Sequence, residues 1–265
     1  MKIMKRALFG SFWLVAVVAF LLCWTSAAFA QSDPQFAITG VTGSLWGEYT
    51  SPYGTDNASV GSVVCDDFKD TVYIGTEHNY TELSANSIIA SGTGGIWSPT
   101  SAPSQIYAAA AALVLGIQQS SGQTQEFYNW ALWALFDPTD ALNAINSNLT
   151  HTSVDMLGCN TVFGSGSWNG SSCTGGTGGL IGAALANGLT DYGLGDFNNL
   201  AVYVPFGTGS SSSSPCTSPG HCDSQEFWGT VPDGGSALLY LVIAGVSCFG
   251  TMFRKRNRTT RASLA

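Results

Sequence analysis

The chain has 265 residues, with nine Lys and Arg against 17 Asp and Glu and a formal net charge of −8 at pH 7. Three cations lie in the first six residues and five in the last twelve, so Lys69 alone stands among all 17 acids in between. That balance excludes nucleic acid and anionic membrane surfaces as partners of the intervening region.

Lys2, Lys5 and Arg6 precede an apolar run from Ala7 to Trp24, and Ala28-Phe29-Ala30 offers a small-x-small cleavage site. Residues 1–30 therefore read as a secretory signal peptide, removed by signal peptidase. Residues 31–206 are long enough for one secreted domain with its own core.

Its first part reads as β-structure. Phe36-Ala37-Ile38, Val60 to Cys65 and Thr71 to Ile74 are apolar or β-branched runs between turn residues. Tyr49 to Asn57, with Pro52 and Gly54, reads as a loop. The middle changes period. Helices are predicted over 105–119, 124–136 and 141–148, started by Pro103-Ser104 and Asp140 and interrupted by Gly122 and Pro138. Ala108 to Ala112 favour helix and allow a neighbouring element to approach closely. In the second helix Phe127, Trp130, Ala131 and Leu135 share one face, and Trp133 and Phe136 widen it until the helix should be buried. Gly164 to Gly179 is a loop, 180–189 a further helix and Leu200 to Val204 a strand ended by Pro205. A Ser/Gly/Pro-rich linker follows over residues 207–230. The expected fold class is α+β: a mostly β ectodomain with an inserted helical segment, plus one C-terminal transmembrane helix.

Cys23 lies in the signal peptide and Cys248 in the C-terminal apolar run, leaving five cysteines between. In an oxidising compartment the local pairs Cys159–Cys173 and Cys216–Cys222 are favoured, because they close short loops. Cys65 is then left over: buried and inert, paired with another chain, or reactive.

The C-terminus has three parts in order. Val231-Pro232-Asp233-Gly234-Gly235 leads into 17 uncharged residues, 237–253, and then into Arg254, Lys255, Arg256 and Arg258. A helix of that length would span about 25 Å, near the lower limit for crossing a bilayer. This order resembles the PEP-CTERM family of bacterial sorting domains, with a variant of the usual Val-Pro-Glu-Pro core. The resemblance implies processing by an exosortase-like membrane protease, with the helix a transient anchor in the cytoplasmic membrane. The protein would then be exported to the cell surface or extracellular matrix.

Val64-Cys65-Asp66 and Tyr128-Asn129-Trp130-Ala131-Leu132-Trp133 together resemble the thioester domains of bacterial surface adhesins. That family carries an early Cys on a strand followed by an acidic residue, and later an apolar-Gln-x-Ala-apolar-Trp segment. Asn129 stands where the family has Gln. Asn is one methylene shorter, about 1.5 Å, so a site built for Gln would not close on it. Gln125, one helical turn earlier on the same face, is the alternative acyl donor. The expected role is a non-enzymatic adhesion or structural protein of the envelope, with an unnamed surface or matrix ligand. The alternatives are a covalent adhesin with a thioester from Cys65 to Asn129 or Gln125, and a Cys-dependent hydrolase using His78 or His151. No cofactor is implied, and no metal: the acidic clusters lack a calcium-loop spacing.

Overall fold

The computed structural model describes residues 33–66, 74–97, 101–207, 215–217, 222 and 224–231. The signal peptide, Lys69, the sorting motif from Pro232 onward, the apolar run 237–253 and the basic cluster lie outside the described residues. The fold is that of the unit beginning at Gln35.

Six strands close a barrel. They are β1 (Gln35–Leu45), β2 (Glu48–Thr55), β3 (Val63–Cys65), β4 (Glu77–Ser84), β5 (Leu200–Pro205) and β6 (Phe227–Thr230), in the order β1-β2-β3-β6-β5-β4, with every pair antiparallel. Strand alternation sends Phe36, Ile38, Tyr53, Val63, Cys65, Tyr80, Tyr203 and Phe227 into the barrel. Phe36 stacks on Tyr80 with ring centroids 4.1 Å apart and meets Tyr203 and Phe227 edge-on. Val64, Val202, Val204 and Trp228 alternate to the other face, where they join the core built with the helices.

The helices are α1 (Ala85–Ser91), α2 (Pro103–Gln119), α3 (Gln123–Phe136), α4 (Pro138–Ser147), α5 (Ser153–Phe163) and α6 (Gly179–Leu194). α3 buries Phe127, Asn129, Trp130, Ala131, Leu132, Trp133, Ala134 and Phe136, as an almost wholly apolar helix must. The alanine run of α2 admits α6 so closely that a Cβ added to Gly188 would lie 2.6 Å from the carbonyl carbon of Ala108. Asp137 caps α4 by accepting the N–H of Asp140, and Thr152 with Asp155 forms a capping box on α5.

The hairpin between β1 and β2 turns on Trp46 and Gly47, both with positive φ, 51° and 82°. Such a turn suits glycine better than tryptophan. Trp46 is held there by what its side chain gains: its indole N–H donates to Asp155 at 2.8 Å, and its ring meets Trp130 edge-on at 5.3 Å. Asp155 in turn accepts from Thr150 and Thr152. Burial opposes the charge of Asp155, but these donors outweigh it and hold the carboxyl below its ordinary value.

Three expectations need correction. The domain is not mostly β with a helical insert: among the described residues the six helices hold more of the chain than the six strands. Residues 153–163, lacking a clear apolar stripe, form α5 because the Thr152–Asp155 box and the buried Gly158 and Cys159 hold them. Among the described residues no helix has the length and apolarity to cross a membrane, and the run 237–253 expected to do so lies outside them. Of the segment 49–57, expected as loop, residues 49–55 are strand. Its Pro52, joined to Ser51 by a cis peptide bond, sits at the irregularity between the Val41–Tyr53 and Gly43–Thr50 pairs, where a proline needs no ladder N–H. Residues 207–230 are not wholly linker either. β6 completes the barrel, Cys216 N–H bonds the carbonyl of Pro205, and Val231 N–H bonds that of Asn199.

Candidate functional site

β3 ends at Cys65, whose neighbour across the ladder is Phe227 of β6. The chain enters β6 through Ser224, Gln225 and Glu226, so it passes beside Cys65 before pairing with it. The Cys65 thiol, wholly buried, donates to the side-chain carbonyl oxygen of Gln225 at 3.1 Å. The carbon of that carboxamide lies one C=O bond, about 1.2 Å, beyond the oxygen. A buried thiol and a partly buried carboxamide are thus held together where β3 meets the approach to β6.

Two strands and one helix fix the sulfur. The backbone N–H of Cys65 donates to Ser51 Oγ at 3.2 Å, and its carbonyl accepts the indole N–H of Trp133 at 3.0 Å. Ser51 N–H in turn donates to Asn129 Oδ1. Asn129 and Trp133 are one turn apart on α3 and reach β2 and β3 respectively. The Tyr128–Trp133 segment therefore grips the backbone around Cys65.

Around the sulfur stand neutral phenols. Tyr80 O–H and Ser224 Oγ share a hydrogen bond of 2.8 Å, and Tyr53 O–H donates to the carbonyl of Tyr49 at 2.6 Å. Burial foremost, with lesser contributions from the charge that Cys65 would carry, pushes both phenols far above their usual range. They stay protonated at any physiological pH.

Of the residues singled out in the sequence, Cys65 is in the site and the two proposed acyl donors serve elsewhere. Asn129 Oδ1 accepts the Ser51 N–H, while its buried Nδ2 makes no hydrogen bond among the described residues. Gln125 donates to the carbonyls of Ile117 and Ser120, tying the start of α3 to the end of α2. The carboxamide at the sulfur is that of Gln225, which was read as part of a linker. The signal for it was the aromatic pair Phe227-Trp228, a strand-forming step that ends the Ser-rich tract. His78 lies on β4 opposite Phe36, and His151 lies before α5 with its ring 6.3 Å from Trp168.

The other cysteines among the described residues are in disulfides, Cys159 with Cys173 and Cys216 with Cys222. The first secures the loop after α5, where Asn146 also binds both the N–H and the carbonyl of Cys173. The second lies against β5: residue 222 bridges to Gly207, and both cysteines are buried.

No protein-family model matches the chain, and no curated protein matches it. Among solved structures it is similar to the N-terminal thioester domain of fibronectin-binding protein SfbI from Streptococcus pyogenes. The identity is 12%, the match covers 77% of this chain and 97% of that one, and the TM-score is 0.36. A likeness of that size assigns neither fold nor function.

Proposed function

We propose that Cys65 and Gln225 close an internal thioester, and that the domain is an exported adhesion module able to bond covalently to an amine on its target. The observation that carries this is the 3.1 Å contact between the buried sulfur and the Gln225 carboxamide. The sulfur attacks the side-chain carbonyl carbon, an S–C bond forms, the C–N bond breaks, and the thiol proton leaves with the nitrogen as ammonia. A target amine then attacks the same carbon, leaving an amide on Gln225 and a restored Cys65 thiol. Contact between the two groups supplies the proximity that this otherwise slow exchange needs, and a turn of the carboxamide brings its carbon to the sulfur. The module acts once per molecule and is not an enzyme.

Two disulfides and an acidic, nearly lysine-free domain support an extracellular setting. Sparse lysine also limits self-acylation. Processing by signal peptidase, and by an exosortase-like protease at Val231 to Gly235, is part of the proposal and rests on the sequence order of motif, apolar run and basic cluster.

Intact mass tests the thioester. The protein should be lighter than its sequence by one ammonia, and methylamine should add its own mass and expose the Cys65 thiol to alkylation. A full sequence mass, with Cys65 alkylated upon unfolding without prior methylamine, rejects it.

A further inference from the structure

The residues that follow the reacting pair form a second pair. Asp66 succeeds Cys65 and Glu226 succeeds Gln225, and both side chains are wholly buried. Asp66 N–H donates to the Glu226 carbonyl at 3.4 Å, and the Asp66 side chain acts directly on the ionisation of Glu226. Trp228 Nε1 donates to Asp66 Oδ2 at 2.6 Å. Glu226 accepts Tyr107 O–H at 2.9 Å on one oxygen and Ile96 N–H at 2.8 Å on the other. Tyr107 itself receives Trp97 N–H, and Phe136 of α3 packs edge-on against the Tyr107 ring.

Two carboxylates cannot both be ionised in contact and out of water. The titratable group that α2 turns toward them is Tyr107, a neutral donor; β6 contributes Trp228, and the segment after α1 contributes the Ile96 N–H. The described residues include no Lys or Arg. One proton between the two oxygens is the arrangement that removes the repulsion.

We propose that Asp66 and Glu226 are positioning residues for the thioester: one shared proton ties the Cys65–Asp66 step to the Gln225–Glu226 step, and this latch sets the approach of sulfur to carboxamide. Burial raises Glu226 above its ordinary value and so keeps that proton in place. Loss of the proton puts two negative charges in contact, separates the two steps and draws Gln225 away from Cys65. The latch rests on the thioester reading for its purpose, but not for its existence.

The experiment uses the full-length chain in two arms. In Cys65→Ala protein, where no thioester can form, stability to urea should fall as pH rises from the ordinary carboxylate range through the raised value of Glu226. Adding Glu226→Gln, which donates an N–H to Asp66 without a titratable proton, should abolish that slope; adding Asp66→Asn instead should reduce it. Equal slopes in all three overturn the latch. In the second arm, protein with Cys65 intact is refolded across the same pH range and ammonia loss is followed by mass. Ammonia loss should fade with rising pH in the parent and persist in Glu226→Gln; identical profiles also overturn the latch. Absence of ammonia loss at every pH in the parent defeats the thioester instead, and the first arm still decides the latch.

Discussion

The indole N–H of Trp133 on α3 donates to the carbonyl oxygen of Cys65 on β3 at 3.0 Å. One turn away, Asn129 receives the N–H of Ser51, whose hydroxyl receives the N–H of Cys65. A buried helix therefore holds the sulfur by its backbone from both sides, leaving the thiol itself for Gln225. Replacing Trp133 by Phe keeps most of the ring's packing area and removes the donor. We expect a loss of about 1–3 kcal/mol in urea unfolding, with a smaller ammonia-depleted fraction in the folded protein. Unchanged values for both would show that the helix does not set the sulfur.

The choice of acyl donor separates by variant. Gln225→Ala should restore the full sequence mass, apart from the substitution, and leave Cys65 open to alkylation in the unfolded chain. Gln125→Ala should keep the ammonia deficit, because Gln125 serves the α2–α3 junction. The reverse pattern would return the reaction to the helix.

Asp155 carries a pH signature opposite to that of the latch. Its folded value lies below the ordinary 3.8, since the donors around it favour the charged form despite burial. The stability it contributes is present above that ordinary value and is lost as pH falls through the depressed one. Asp155→Asn weakens the cap and the Trp46 anchor. Its unfolding temperature should be lower at neutral pH, and the difference from the parent should shrink in acid. A difference that grows toward acid would contradict this assignment.

Gly188 tests the α2–α6 contact. A methyl there meets the Ala108 backbone at 2.6 Å, with helix backbone on both sides and no flexible side chain to yield. Gly188→Ala should destabilise by about 1–3 kcal/mol, although alanine is the better helix former. Thermal unfolding of the parent and the variant checks it; an unchanged or raised midpoint would mean that the helices can move apart.

Local pattern carried much of the middle of the chain. The alanines of α2, the aromatic face of α3, and the Gly and Pro punctuation around them mark helices at any position in a fold. Residues 200–204 likewise read as a strand. Short cysteine spacings pointed to Cys159–Cys173 and Cys216–Cys222, because a small loop closes at modest entropic cost. Pro52 and the Ser-rich approach to β6 misled for the same reason in each case: a bulge tolerates a proline, and a strand of four residues closes a barrel only because its neighbours already stand in place.

The sequence by itself determined that the domain is acidic and almost without lysine, and it favoured Cys65 as the cysteine set apart and a buried Tyr128–Trp133 helix. Only the tertiary structure decided which carboxamide reaches the sulfur. Asn129 and Gln125 were near in motif, yet the Asn129 Oδ1 is held by the backbone of β2 and the Gln125 Nε2 by the end of α2. Gln225, 160 residues from Cys65, arrives through the β3–β6 pairing. Ladder register is a long-range property, set by which strands close the barrel. No local spacing could have placed Gln225 against Cys65, or Glu226 against Asp66.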